Sequence, residues 1–181
     1  DLGARARQGD LEAAASWPDM SLEAIEAWDS GMAGFDERID AIDPADLPAD
    51  ENYAVLSYEL DSAVAVPWAT TAMIPFTNDS GFHTNASFAA LTTRVRSVEE
   101  AEAWIAKLNA LPDYLGEQQA WLTRGIETGF TQPRAILQGV ADQIEAQITP
   151  VGESELLTPI RNLPETIPAS ERERLMAEAT E

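Results

Sequence analysis

The sequence predicts an all-α protein, and three observations carry that prediction. Apolar residues recur every three or four positions along most of the chain. Capping residues precede those runs, and glycine or proline closes them. No segment shows the sustained alternation of a half-buried strand. Six or seven helices are expected, mostly in antiparallel pairs joined by short turns.

The clearest helix starts at Ser21. Ile25, Trp28, Met32, Phe35, Ile39 and Ile42 come at alternating steps of three and four, which puts them on one stripe. Asp43-Pro44 ends it, because the residue before proline avoids helical geometry. A second helix is expected from Asp50 to Val66, with Tyr53, Leu56, Leu60 and Val64 inward and Pro67 closing it. The stretch from Trp68 to Asn85 loses the helical period and reads as a long loop with turn-formers Pro75, Asn78, Asp79, Ser80 and Gly81. Phe88, Leu91 and Val95 mark a short helix beyond it.

Ser97 with Glu100 forms a capping box for a helix carrying Ala101, Trp104, Ile105 and Leu108. Pro112 fits the first turn of the next helix, whose face is Leu115, Leu122 and Ile126, with Trp121 beside them. Gly129 is placed as its left-handed terminator. Thr131 then caps a helix bearing Ile136, Val140, Ile144 and Ile148. Trp28 and Trp104 fall on helical stripes and are expected in the core. Prolines at 150, 159, 164 and 168 punctuate the segment after that helix, and Ser170 with Glu173 reads as a last capping box. The domain reading is therefore a helical region over 1–150, then a proline-rich linker and the start of a further helix over 151–181.

Composition excludes several function classes. The 181 residues include 32 acidic against 11 basic ones, a net charge of −21, and Lys107 is the only lysine. A field of that sign repels nucleic acid and anionic headgroups, so neither is an expected partner. With no cysteine, disulfides, thiolate metal sites and cysteine nucleophiles are excluded. No apolar run approaches the roughly 18 residues of a membrane span. The chain starts at Asp1 rather than Met and closes inside an expected helix, which reads as truncation at both ends. An apolar patch is accordingly expected, on the face of Ile136, Val140 and Ile144 or beside residues 151–168.

His83 is the one histidine, so any His-dependent base must be this residue, with Asp79 near enough in sequence to orient it. A lone loop histidine also has the plainer reading of a structural or surface residue. The acidic clusters Asp40, Asp43, Asp46 and Glu99, Glu100, Glu102 read as solvated helix ends. Trp68 comes after a proline and either lines a cleft or seals a helix end. No phosphate loop and no nucleophile elbow occurs.

Two stretches together carry a family resemblance. One is Trp17-Pro18-Asp19-Met20-Ser21 with Ile42-Asp43-Pro44-Ala45-Asp46-Leu47. The other is Leu111-Pro112-Asp113-Tyr114-Leu115, then Arg124-Gly125-Ile126 and Gly129-Phe130-Thr131-Gln132-Pro133-Arg134. In order and spacing they resemble the N-terminal half of the bacterial family of unknown function numbered 885 (DUF885), over about residues 17–150. The resemblance implies a zinc metallopeptidase-like hydrolase of the H-E-x-x-H class and a cell-envelope or periplasmic location. That motif is absent here. The chain is then expected to be the non-catalytic N-terminal lobe of the larger fold, one wall of a substrate cleft. It would hold no cofactor itself, zinc residing in the remainder of the parent chain. That remainder would be its partner and a peptide its substrate, with His83, Asn78 and Trp68 as the substrate contacts. The alternative is a stand-alone acidic helical binding module.

Overall fold

In the computed structural model, residues 2–44, 47, 51–77 and 79–181 are described, of residue 51 the backbone only. Helix is the only regular structure among them. The α-helices in order are α1 (Leu2–Arg7), α2 (Leu11–Ala14), α3 (Leu22–Asp40), α4 (Glu51–Ala65), α5 (Trp68–Ala72), α6 (Phe82–Thr92), α7 (Val98–Asn109), α8 (Leu111–Thr128), α9 (Val140–Glu145), α10 (Thr158–Arg161) and α11 (Ala169–Glu178), with 3-10 turns at Val151–Glu153 and Glu155–Leu157. The expected number of six or seven is thus corrected upward. α1, α2, α5 and α10 are too short to show a helical period. The expected loop 68–85 contains α5 and the start of α6. Nor does the structure mark the chain as the N-terminal lobe of a larger fold, since each of its two units has an apolar core.

Local signals set several helix ends. Ser21 accepts from the Ala24 N–H and starts α3; Ser97 accepts from the Glu100 N–H and starts α7. The return arm of the second box reaches the N–H of Arg96, at 2.7 Å. Gly129 ends α8 in the left-handed region. Two expected starts are corrected. α11 begins at Ala169 after Pro168, so Ser170 lies inside the helix and caps nothing. The stripe 136–148 is not one helix, because residues 134–139 form turns and α9 starts after Gly139 at φ +86°. Of that stripe Val140 is buried, while Ile144 and Ile148 are exposed.

The chain divides into two compact units. The first unit comprises residues 1–19, 76–116 and 133–181. Its core joins Ala90 of α6, Ala101, Trp104 and Ile105 of α7, and Val95 to Ile160, Leu163, Ile167 and Leu175. Nearly half of these residues therefore come from the proline-rich segment and α11. Prolines there stop long helices but leave short turns that pack. Trp104 Nε1 donates to the Leu156 carbonyl and ties α7 to that segment.

The second unit comprises residues 20–75 and 117–132, centred on Ile25, Ala72 and Trp121. Its helices bury faces that coincide only in part with the apolar stripes. On α3, Ile25, Asp29, Met32, Asp36 and Ile39 face inward, while Trp28 and Phe35 are about half exposed. The expected core position of Trp28 is corrected accordingly. On α4, Leu60 is buried and Leu56 is exposed. In the part of α8 that belongs to this unit, the buried positions are Gln118, Trp121 and Gly125, not Ile126.

Candidate functional site

In the first unit, Gly81 precedes α6 and His83 occupies its first turn, pointing inward with Ala86 and Ala90. The imidazole is 7% exposed and sits against Phe76 (centroids 5.4 Å) and Phe82 (6.3 Å). Its Nε2 lies 3.0 Å from Gln143 Oε1 on α9. Nδ1 is buried and has no protein partner. Asp79 does not orient the ring: its carboxylate accepts from Thr77 Oγ1 in the exposed turn before α6. Asn78 lies outside the described residues, as does Asp46.

Lys107 of α7 forms a second constellation in the first unit. Its Nζ donates to the Ser16 carbonyl at 2.7 Å and lies 4.5 Å from the Trp17 ring centroid. Trp17 Nε1 donates to the Lys107 carbonyl, and its ring stacks on Tyr114 at 5.0 Å. The Tyr114 hydroxyl accepts from Asn85 Nδ2. Burial pushes the Lys107 ammonium below its ordinary value. In so acidic a chain, the single lysine is held by a carbonyl and an aromatic face. Sequence reading misses this because Trp17, Asn85, Lys107 and Tyr114 share no local spacing.

In the second unit, Trp68 opens α5 and is half-buried, edge-to-face with Trp28 at 5.5 Å. The two Asp29 carboxylate oxygens accept from the N–H groups of Trp68 and Ala69, at 2.8 and 2.9 Å. An acid on α3 thus caps α5, where Pro67 supplies no side-chain cap. Met20 is held on both sides by α8: its N–H donates to Glu117, and its carbonyl accepts from Trp121 Nε1. Asp36 is raised above the usual carboxylate range, first by burial and then by Asp61 and Asp40. Chemically, these arrangements clamp and cap; the aromatic pair Trp28–Trp68 alone offers a partly open surface.

An all-α protein of two helical units, with its one histidine and its one lysine both engaged by the fold, is the class these observations define. Residues 3–181 match the family described as bacterial protein of unknown function (DUF885), and the chain belongs to that family. Comparison with curated proteins found no match, and comparison with solved structures found none. The metallopeptidase, hydrolase and zinc expectations are corrected for this chain. The family description assigns no function, and among the described residues no group of three or more His, Cys, Asp or Glu is placed to hold a metal ion. Among them, too, no helix is long and apolar enough to cross a membrane.

Proposed function

We propose that this chain is a non-catalytic helical part of a peptide-handling protein, offering substrate contacts while other residues break bonds. The observation that supports this most is the engagement of the two side chains best suited to base or nucleophile work. His83 is buried with Nε2 on Gln143, and Lys107 is bound to the Ser16 carbonyl. A metallopeptidase-like activity, as the resemblance implies, then belongs to a longer protein and rests on residues outside these 181. The remainder of that protein is the proposed partner, and the cell envelope the proposed location. Within this chain the proposed contacts are His83 and Asn78, and separately Trp68 of the second unit.

The test compares His83→Ala and Gln143→Ala in the full-length natural protein. Both remove the same buried hydrogen bond, but only the first removes Nδ1. Peptide turnover or binding should fall further in His83→Ala than in Gln143→Ala at matched melting temperature. Equal kinetics would take His83 off the substrate path. A second reading, an acidic interaction module, draws on Val55, Leu56 and Tyr58, which α4 leaves exposed on a strongly anionic chain. Salt-sensitive capture of a basic partner, without peptide turnover by the full-length protein, would favour it.

A further inference from the structure

The first unit carries a groove between α10 and α11 to which neither His83 nor Trp68 contributes. Its volume is about 560 Å³, within the range of small-ligand sites. Ile160, Leu163 and Met176 supply apolar lining, and Arg161, Arg172 and Glu173 supply charge. Neither arginine is paired with a carboxylate among the described residues, where the ion-paired arginines are Arg5, Arg124 and Arg174. Arg174, two positions along α11, is bound by Glu102, Glu171 and Glu178. Arg161 is anchored instead through Nη2 on the carbonyls of Gly152 and Ser154. Arg172 has a buried Nε with no partner. Among the described residues no carboxylate pairs with this guanidinium, and its Nη atoms are the ones a ligand in the groove would meet.

We propose that this groove binds the C-terminal residue of a peptide that ends in an apolar side chain. The carboxylate pairs with Arg172, beside the positive charge of Arg161, in the planar geometry a guanidinium favours. The apolar side chain lies on Ile160, Leu163 and Met176. Glu173 selects for a peptide: its carboxylate accepts an N–H of the terminal residue, whereas a simple aliphatic carboxylate offers no donor and meets like charge there. The site is separate from the His83 and Trp68 contacts, so loss of peptide turnover elsewhere would leave it standing.

The test titrates the 181-residue chain with acetyl-Ala-Ala-Leu, its C-terminal amide, and octanoate, monitoring amide shifts of α10 and α11 by NMR. The free peptide should shift these resonances, with the amide and octanoate at least tenfold weaker. Arg172→Gln should weaken the free peptide at least tenfold with an unchanged melting temperature. If that variant melts lower, the comparison of acid with amide on the unaltered chain decides alone. No shift at millimolar peptide, or equal binding of acid and amide, would overturn the proposal. Octanoate binding as tightly as the peptide would overturn the assignment to a peptide terminus.

Discussion

At the scale of single residues, close approach and burial decide more than residue type. Gly125 is the clearest case. A Cβ there would meet the Phe130 carbonyl oxygen at 2.7 Å and the Met73 backbone at 3.2 Å. Both obstacles include backbone, so Gly125→Ala should destabilise the protein by roughly 1–3 kcal/mol, measured by denaturant unfolding. A neutral result would mean that the 129–131 turn yields freely. Lys107 gives a pH signature. Burial lowers its folded value below 10.5, so between the folded and unfolded values the unfolded chain binds more protons. Its contribution to stability therefore rises with pH in the range just below 10.5, and below that range it is constant and unfavourable. Lys107→Met should remove this rise when melting curves of the two proteins are compared across the range; an identical pH profile would show that the ammonium is fully solvated. Neither residue's role is legible in the sequence. Gly125 has spacing as part of a motif, but its neighbour Met73 lies 52 positions away, and Lys107 has no signal beyond its solitude.

At the scale of elements, local chemistry is readable where the helix cap is a neighbour in sequence. Ser21 and Ser97 are identifiable from spacing, because a cap bonds three residues ahead. Ser97→Ala should cost about 1 kcal/mol in chemical denaturation, and retention of full stability would place the burden on Glu100 instead. The cap of α5 is invisible in the sequence because its acceptor, Asp29, lies 39 residues upstream of Trp68. Asp29→Ala should lower the melting temperature more than Asp29→Asn, which keeps one acceptor oxygen; equal losses would argue that the cap is dispensable. The buried faces of α3, α4 and α8 depart from their apolar stripes for one reason. A stripe passes through aliphatic and aromatic residues, whereas the packed faces admit Asp29, Asp36, Gln118 and Gly125. Asp29 enters such a face because the N–H groups of Trp68 and Ala69 satisfy its carboxylate.

At the scale of the whole molecule, charge and core act in opposite directions. A net charge of −21 opposes compaction by self-repulsion. Raising salt from about 10 to 150 mM shortens the screening length, so the melting temperature should rise; a fall would show that specific ion pairs outweigh the net field. The core of the first unit depends on its last segment, because Leu175 is fully buried among residues of α6 and α7. Leu175→Ala should cost about 2–5 kcal/mol, and a cost below 1 kcal/mol would indicate that α11 is loosely attached.

By itself the sequence determined the helical class, the caps at Ser21 and Ser97 and the left-handed stop at Gly129, the absence of cysteine chemistry, and the family. These are short-range or compositional properties, fixed by a few neighbouring residues. Tertiary structure alone decided the number of helices, the faces they bury, the placement of His83 beside Gln143 and of Lys107 over Trp17, and the groove of α10 and α11. Each of those depends on residues brought together across tens of positions, where spacing carries no information and partner geometry sets the energy.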